Sequence, residues 1–158
     1  MREIISGEHK MWKQIKTQED IDIFMNLTKH FHDSCLKELC YVSGAYVDEE
    51  LSMFPVNDQR SLKVIFQLQN DACPMVELWF KKTSILKLLP QNEAYTCEIL
   101  EASLIERNNE YIWADGANFI PEEIESYSGT IIACAELFWR PIHNSMGSKP
   151  VYLGDFTL

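Results

Sequence analysis

The segment His30-Phe31-His32-Asp33 gathers the side chains of this chain best suited to chemistry. Imidazoles and a carboxylate can together hold zinc or iron, and a metal-dependent enzyme built this way would centre on His30, His32 and Asp33. Spacing alone does not decide the matter. Residues i and i+2 of a helix point about 200° apart, whereas on a strand they share a face. The segment falls where a helix is expected to give way to a strand, and the sequence marks no third ligand elsewhere. The plainer reading is a helix terminus, with a cationic imidazole favoured at the negative end and Asp33 opening a turn. Cys35, next to this segment, would act as a nucleophile only with a base and a lowered pKa. A buried structural thiol is the commoner role.

Other candidates are sparser. Trp113 and Asp115, ahead of Gly116, could line a pocket or simply close a strand at a turn. Glu136 and Arg140 share strand parity, which suggests a salt bridge on one sheet face or, more ambitiously, a ligand clamp. Two acidic groups, Asp48-Glu49-Glu50 and Glu122-Glu123-Glu125, fall in expected connections, where binding residues concentrate. They suit a basic protein partner, or they are solvated loops. No Gly-x-Ser-x-Gly, P-loop or dinucleotide motif is present, and no cofactor is implied.

Composition narrows the field. Fourteen basic residues stand against 24 acidic ones, a formal charge of −10. Phosphate backbones and anionic membranes reward clustered Lys and Arg, so nucleic-acid and membrane partners are not expected. Five cysteines without C-x-x-C spacing, and an N-terminus lacking a signal-type apolar run, point to reduced thiols in a cytoplasmic protein. A length of 158 residues fits one domain over 1–158, with 1–16 and 141–158 expected at its periphery.

The elements that must position these residues can be read from periodicity. Thr17 and Asp20 suit a helix start. Ile23, Phe24, Leu27 and Phe31 then fall on one side of a helix over 18–31. After it the period changes to two. A strand is expected over 36–47, with Gly44 a bulge, then a loop over 48–60. Residues 62–69 and 75–81 alternate around Asn70-Asp71-Ala72-Cys73-Pro74, a hairpin with one buried face. Further strands are expected over 84–89, 96–107 and 111–114, the last two turning at Asn108-Asn109. Pro121 opens a short helix. Ile131, Ala133, Ala135, Leu137 and Trp139 form a final apolar face. The fold class is α+β: a mainly antiparallel sheet of six or seven strands with one main helix near the N-terminal side.

Four stretches resemble an uncharacterised family of small bacterial proteins: Phe31-His32-Asp33-Ser34-Cys35, Met53-Phe54-Pro55-Val56-Asn57-Asp58, Tyr127-Ser128-Gly129-Thr130 and Trp139-Arg140. That family has no assigned activity, so the resemblance transfers no functional residue. In size, acidity and β-richness the chain is also loosely similar to acidic immunity proteins that neutralise toxins. The expectation is a non-enzymatic interaction or regulatory protein meeting a basic protein partner through its acidic loops. A metal enzyme and a small-molecule binder are the alternatives, and the oligomeric state is left open.

Overall fold

The computed structural model describes residues 11–153. Its main sheet has seven antiparallel strands: β1 (Lys13–Ile15), β2 (Ser34–Val42), β5 (Ser61–Leu68), β6 (Met75–Lys87), β7 (Ser103–Arg107), β8 (Glu110–Ala114) and β9 (Ile131–Pro141). They run in the order β2-β5-β6-β9-β8-β7, and β1 pairs with the C-terminal half of β9. A two-stranded sheet of β3 (Tyr46–Val47) and β4 (Met53–Phe54) stands apart. The α+β expectation is met. Among the described residues no helix is long and apolar enough to cross a membrane.

Helix α1 (Gln18–Leu27) starts with a capping box: Asp20 N–H donates to the Thr17 hydroxyl, and the Asp20 carboxylate accepts from Thr17 N–H. Its buried stripe is Ile21, Phe24 and Met25, at the i, i+3, i+4 spacing. Ile23, expected on that stripe, points away and is 58% exposed.

The helix ends earlier than its periodicity suggests. Thr28 turns its hydroxyl onto the Phe24 and Met25 carbonyls. Lys29, His30 and Phe31 then take φ values of +50°, +53° and +58°, and Asp33 follows at +54°. L-residues resist this hand by about 1–2 kcal/mol each, so the surroundings must supply the compensation. Phe31 N–H donates to Thr28 O, His32 N–H to Lys29 O and Ala102 N–H to His30 O. The Phe31 ring is fully buried, packed edge-on against Phe24, Phe66 and Trp113.

The strand expected over 84–89 is the continuation of β6, carried past Lys82 (φ +53°) by an irregularity between Thr83 and Ile85. Residues 96–102, expected in a strand, make a single bridge, Ser34 to Ile99, before β7 begins. Asn108 and Asn109, both at positive φ, form the anticipated tight turn between β7 and β8. Residues 13–15, expected at the periphery, are a sheet strand with Ile15 in the core; residues 1–10 and 154–158 lie outside the described region.

The hairpin of β5 and β6 was expected to bury one face, yet both faces are covered in its middle. Leu62, Val64, Phe66, Val76, Leu78 and Phe80 join the main core with α1, while Ile65, Met75 and Glu77 are buried on the reverse. β9 divides its apolar residues too: Leu137 and Trp139 belong to the main core, Ile131 and Ala133 to a smaller cluster with Ile112, Ala114 and Phe119. Ala135 is exposed.

Candidate functional site: a cleft around Glu98 and an apolar arm

The cleft is made by a long-range tie. Ser34 N–H donates to Ile99 O and Ile99 N–H to Ser34 O, fastening the 96–100 segment along β2. That brings Glu98 beside the strand, where its Oε2 accepts from Leu36 N–H at 2.8 Å. Cavities of about 520 and 770 Å³ flank Thr96-Cys97-Glu98, and a void of about 10 Å³ reaches Trp113. Glu98 lines all three. Burial, and secondarily the Asp115 charge, raise its carboxyl pKa against the lowering effect of the Leu36 N–H.

Asp115 is held by construction. The Tyr127 hydroxyl donates to its Oδ1 at 2.9 Å. A Cβ on Gly116 would lie 2.2 Å from Tyr127 Oη, and one on Gly129 2.3 Å from Asp115 Oδ1, so both positions need glycine for close approach. Burial and this hydrogen bond drive the Tyr127 pKa upward. The Trp113 indole is fully buried, and its Nε1 has no hydrogen-bond partner among the described residues.

No family model, curated protein or solved structure matches this chain. Of the four stretches that carry the sequence resemblance, 31–35 and 127–130 contribute Asp33, Cys35 and Tyr127 to this region, 53–58 begins in β4 and runs on past it, and 139–140 lies near the end of β9.

The sequence candidates disperse. His32 lines the larger cleft cavity, whereas His30 lines a separate cavity of about 330 Å³ against α1. Among the described residues no three His, Cys, Asp or Glu side chains are grouped to hold a metal ion. His32 Nδ1 instead pairs with Asp33 Oδ2 at 3.0 Å, and Asp33 Oδ1 faces Cys97 Sγ at 3.6 Å. The carboxylate thus stands between imidazole and thiol, the reverse of a nucleophile activated by a histidine base. Burial, then Asp33, raise the Cys97 pKa; burial, then Glu98, raise that of Cys35. Both shifts run against thiolate formation.

Arg140 does not meet Glu136. In the β6–β9 register it lies opposite Glu77, and its Nε and Nη2 both reach Glu77 Oε2 at 2.7 Å. Glu77 is 2% exposed and also accepts from the Tyr152 hydroxyl at 2.7 Å. Glu136 pairs with Lys82 at 3.1 Å. The C-terminal tail covers part of this side of the sheet, at Glu38 and Glu77, with Val151 N–H donating to the Glu38 carboxylate.

The two acidic groups have different settings. Glu122, Glu123 and Glu125 lie in and after a short 3-10 turn, and Glu122 pairs with Arg107 at 3.1 Å. Asp48, Glu49 and Glu50 sit at the tip of the β3–β4 hairpin, where Asp48 Oδ1 accepts from Glu50 and Ser52 N–H. The chain departs from β2 at Gly44 (φ +95°), where a Cβ would strike Asp58. Ser43 O accepts from Gln59 and Arg60 N–H, closing the base of the excursion. Tyr46 and Phe54 stack at 4.8 Å. Even so, Leu51 is 84% exposed, Met53 66% and Tyr46 54%. The 48–60 segment, expected as a loop, contains β4. The short β3 and β4 runs are below what alternation can reveal, and Leu51, Met53, Phe54 and Val56 were the available signal.

Proposed function

We propose that the protein is a non-enzymatic interaction module, acting in the cytoplasm, whose β3–β4 arm is its contact surface. The observation that carries this reading is the arm itself: two strands that, among the described residues, pair with each other alone, in a hairpin that leaves Tyr46, Leu51, Met53 and Val56 exposed beside three carboxylates. Exposed apolar side chains on both sides of a projecting hairpin with a polar tip suit a protein contact. Asp48, Glu49 and Glu50 would favour a partner with a cationic rim, mainly by speeding encounter. A photo-reactive residue at position 51, compared with the same residue at the exposed position 23 of α1, tests the idea. Capture of one protein through position 51 alone, lost on adding Glu49→Lys and Glu50→Lys, is expected. Equal capture at both positions would sink the proposal.

A second reading is favoured by the electrostatics of the cleft. Asp33, Glu98, Glu101 and Asp115 line it, with His32 the sole basic side chain among the lining residues. An organic ammonium is the small molecule such a lining suits. Thermal-shift titration with alkyl mono- and diamines checks this: stabilisation in wild type should vanish in Glu98→Gln, and no shift with any amine would eliminate it.

A further inference from the structure

The face of β5, β6 and β9 turned away from α1 carries an unusual grouping for so acidic a chain. Trp79 stands at its centre, 5.3 Å from Trp12 and 5.8 Å from Phe138. Lys81 Nζ lies 4.1 Å from the Trp79 ring centroid and 4.8 Å from that of Phe138; Lys63 Nζ lies 5.0 Å from Trp79. Such contacts hold an ammonium in place without neutralising it. The nearby carboxylates are engaged elsewhere, Glu77 by Arg140 and Tyr152, Glu136 by Lys82. Among the described residues neither Lys63 nor Lys81 has a carboxylate within ion-pairing distance. The result is a part-buried aromatic platform carrying two lysines that, among the described residues, form no ion pair, although Glu136 stands opposite Lys81 in the β6–β9 register.

The arm is its complement in both respects, apolar in body and carrying three carboxylates at the tip. The high exposure of Tyr46, Leu51 and Met53 shows that the arm does not rest on the platform of its own chain. We propose that the β3–β4 arm of one copy docks on the Lys63–Trp79–Lys81–Phe138 platform of a second copy, and that the second copy returns its own arm. The proposal rests on the reading of the arm as the contact surface and names the partner as another copy of this chain. Each copy has one arm and one platform, so two reciprocal contacts close a twofold dimer instead of an open filament. Reciprocity also doubles the buried area toward the ~1,200 Å² at which specific interfaces begin. Opposite charges on the two surfaces favour this arrangement over arm on arm or platform on platform.

Charge reversal separates the possibilities. Sedimentation of the full chain should show a dimer at tens of micromolar, weakened by added salt. Glu49→Lys with Glu50→Lys alters only exposed arm positions, and Lys63→Glu with Lys81→Glu alters the platform; each pair should weaken self-association at least tenfold. Mixing the two variants places opposite charges at both contacts and should restore a one-to-one dimer. Combining all four substitutions in one chain should do the same. A wild type that stays monomeric to 200 µM overturns the proposal while leaving a different arm-bound partner, found through position 51, intact. A dimer indifferent to both charge reversals overturns it as well. A monomer that binds a dT16 oligonucleotide through Lys63 and Lys81 would reassign the platform to single-stranded nucleic acid.

Discussion

The two faces of the main sheet use their aromatic rings differently. Beneath α1, Phe24, Phe31, Phe66 and Trp113 interlock with no access to water, and the ring contacts there add to pure area burial. On the reverse, Trp12, Trp79 and Phe138 remain half-exposed beneath lysines, and the buried centre is an ion pair, Glu77 with Arg140. The first arrangement stabilises and specifies the fold. The second leaves chemically distinctive surface available, at the cost of a desolvated carboxylate that must keep its partners.

That contrast can be broken at either face. Phe66→Ala, in the interlocked layer, should lower stability by about 3–5 kcal/mol in denaturant melts, whereas Trp79→Ala on the open face should cost clearly less. Equal losses would mean that the platform is core. Arg140→Met strands the Glu77 charge, and a loss of about 2–4 kcal/mol is expected, below the fully buried limit because the arginine is partly solvated. Replacing both partners, with Glu77→Met added, should recover much of it. Thr17→Ala removes the cap of the helix covering the first face and should cost about 1 kcal/mol, read as a small fall in Tm. The smallest effect concerns pH. Since the Glu98 pKa is raised on folding, the unfolded chain releases this proton first as pH climbs. Native stability therefore declines from the ordinary glutamate range up through the higher native value. Glu98→Gln should flatten that decline, so the Tm of the variant should gain on wild type as pH rises above the ordinary glutamate range. A constant offset as pH rises would contradict the assignment.

What could be read from the sequence was local. The Thr17–Asp20 capping box, the β5–β6 hairpin and the Asn108-Asn109 turn each depend on residues a few positions apart. Features set by distant partners were hidden. Glu98 becomes half-buried only because Ile99 pairs with Ser34, 65 positions earlier. The partner of Arg140 depends on a strand register that brings Glu77 across from it. Alternation identified the two sides of β5 and β6 but could not say that Ile65, Met75 and Glu77 would also be covered. Asp115 was a candidate either for a pocket or for a strand end at a turn, since an acid before glycine is a local signal; it lines the cleft, and its support by Tyr127 was not visible. The left-handed run at Lys29–Phe31 had no warning at all, because none of its residues is glycine or asparagine.

That inverted run has a mechanical consequence. A backbone wound against its natural hand is kept so by what surrounds it, here the Phe31 ring seated among aromatics and the carbonyl of His30 tied to Ala102. Two residues after Phe31, Asp33 forms part of the cleft wall. Wall and hydrophobic interior are joined by a short lever with little slack, so anything that shifts Asp33 pulls on the centre of the molecule.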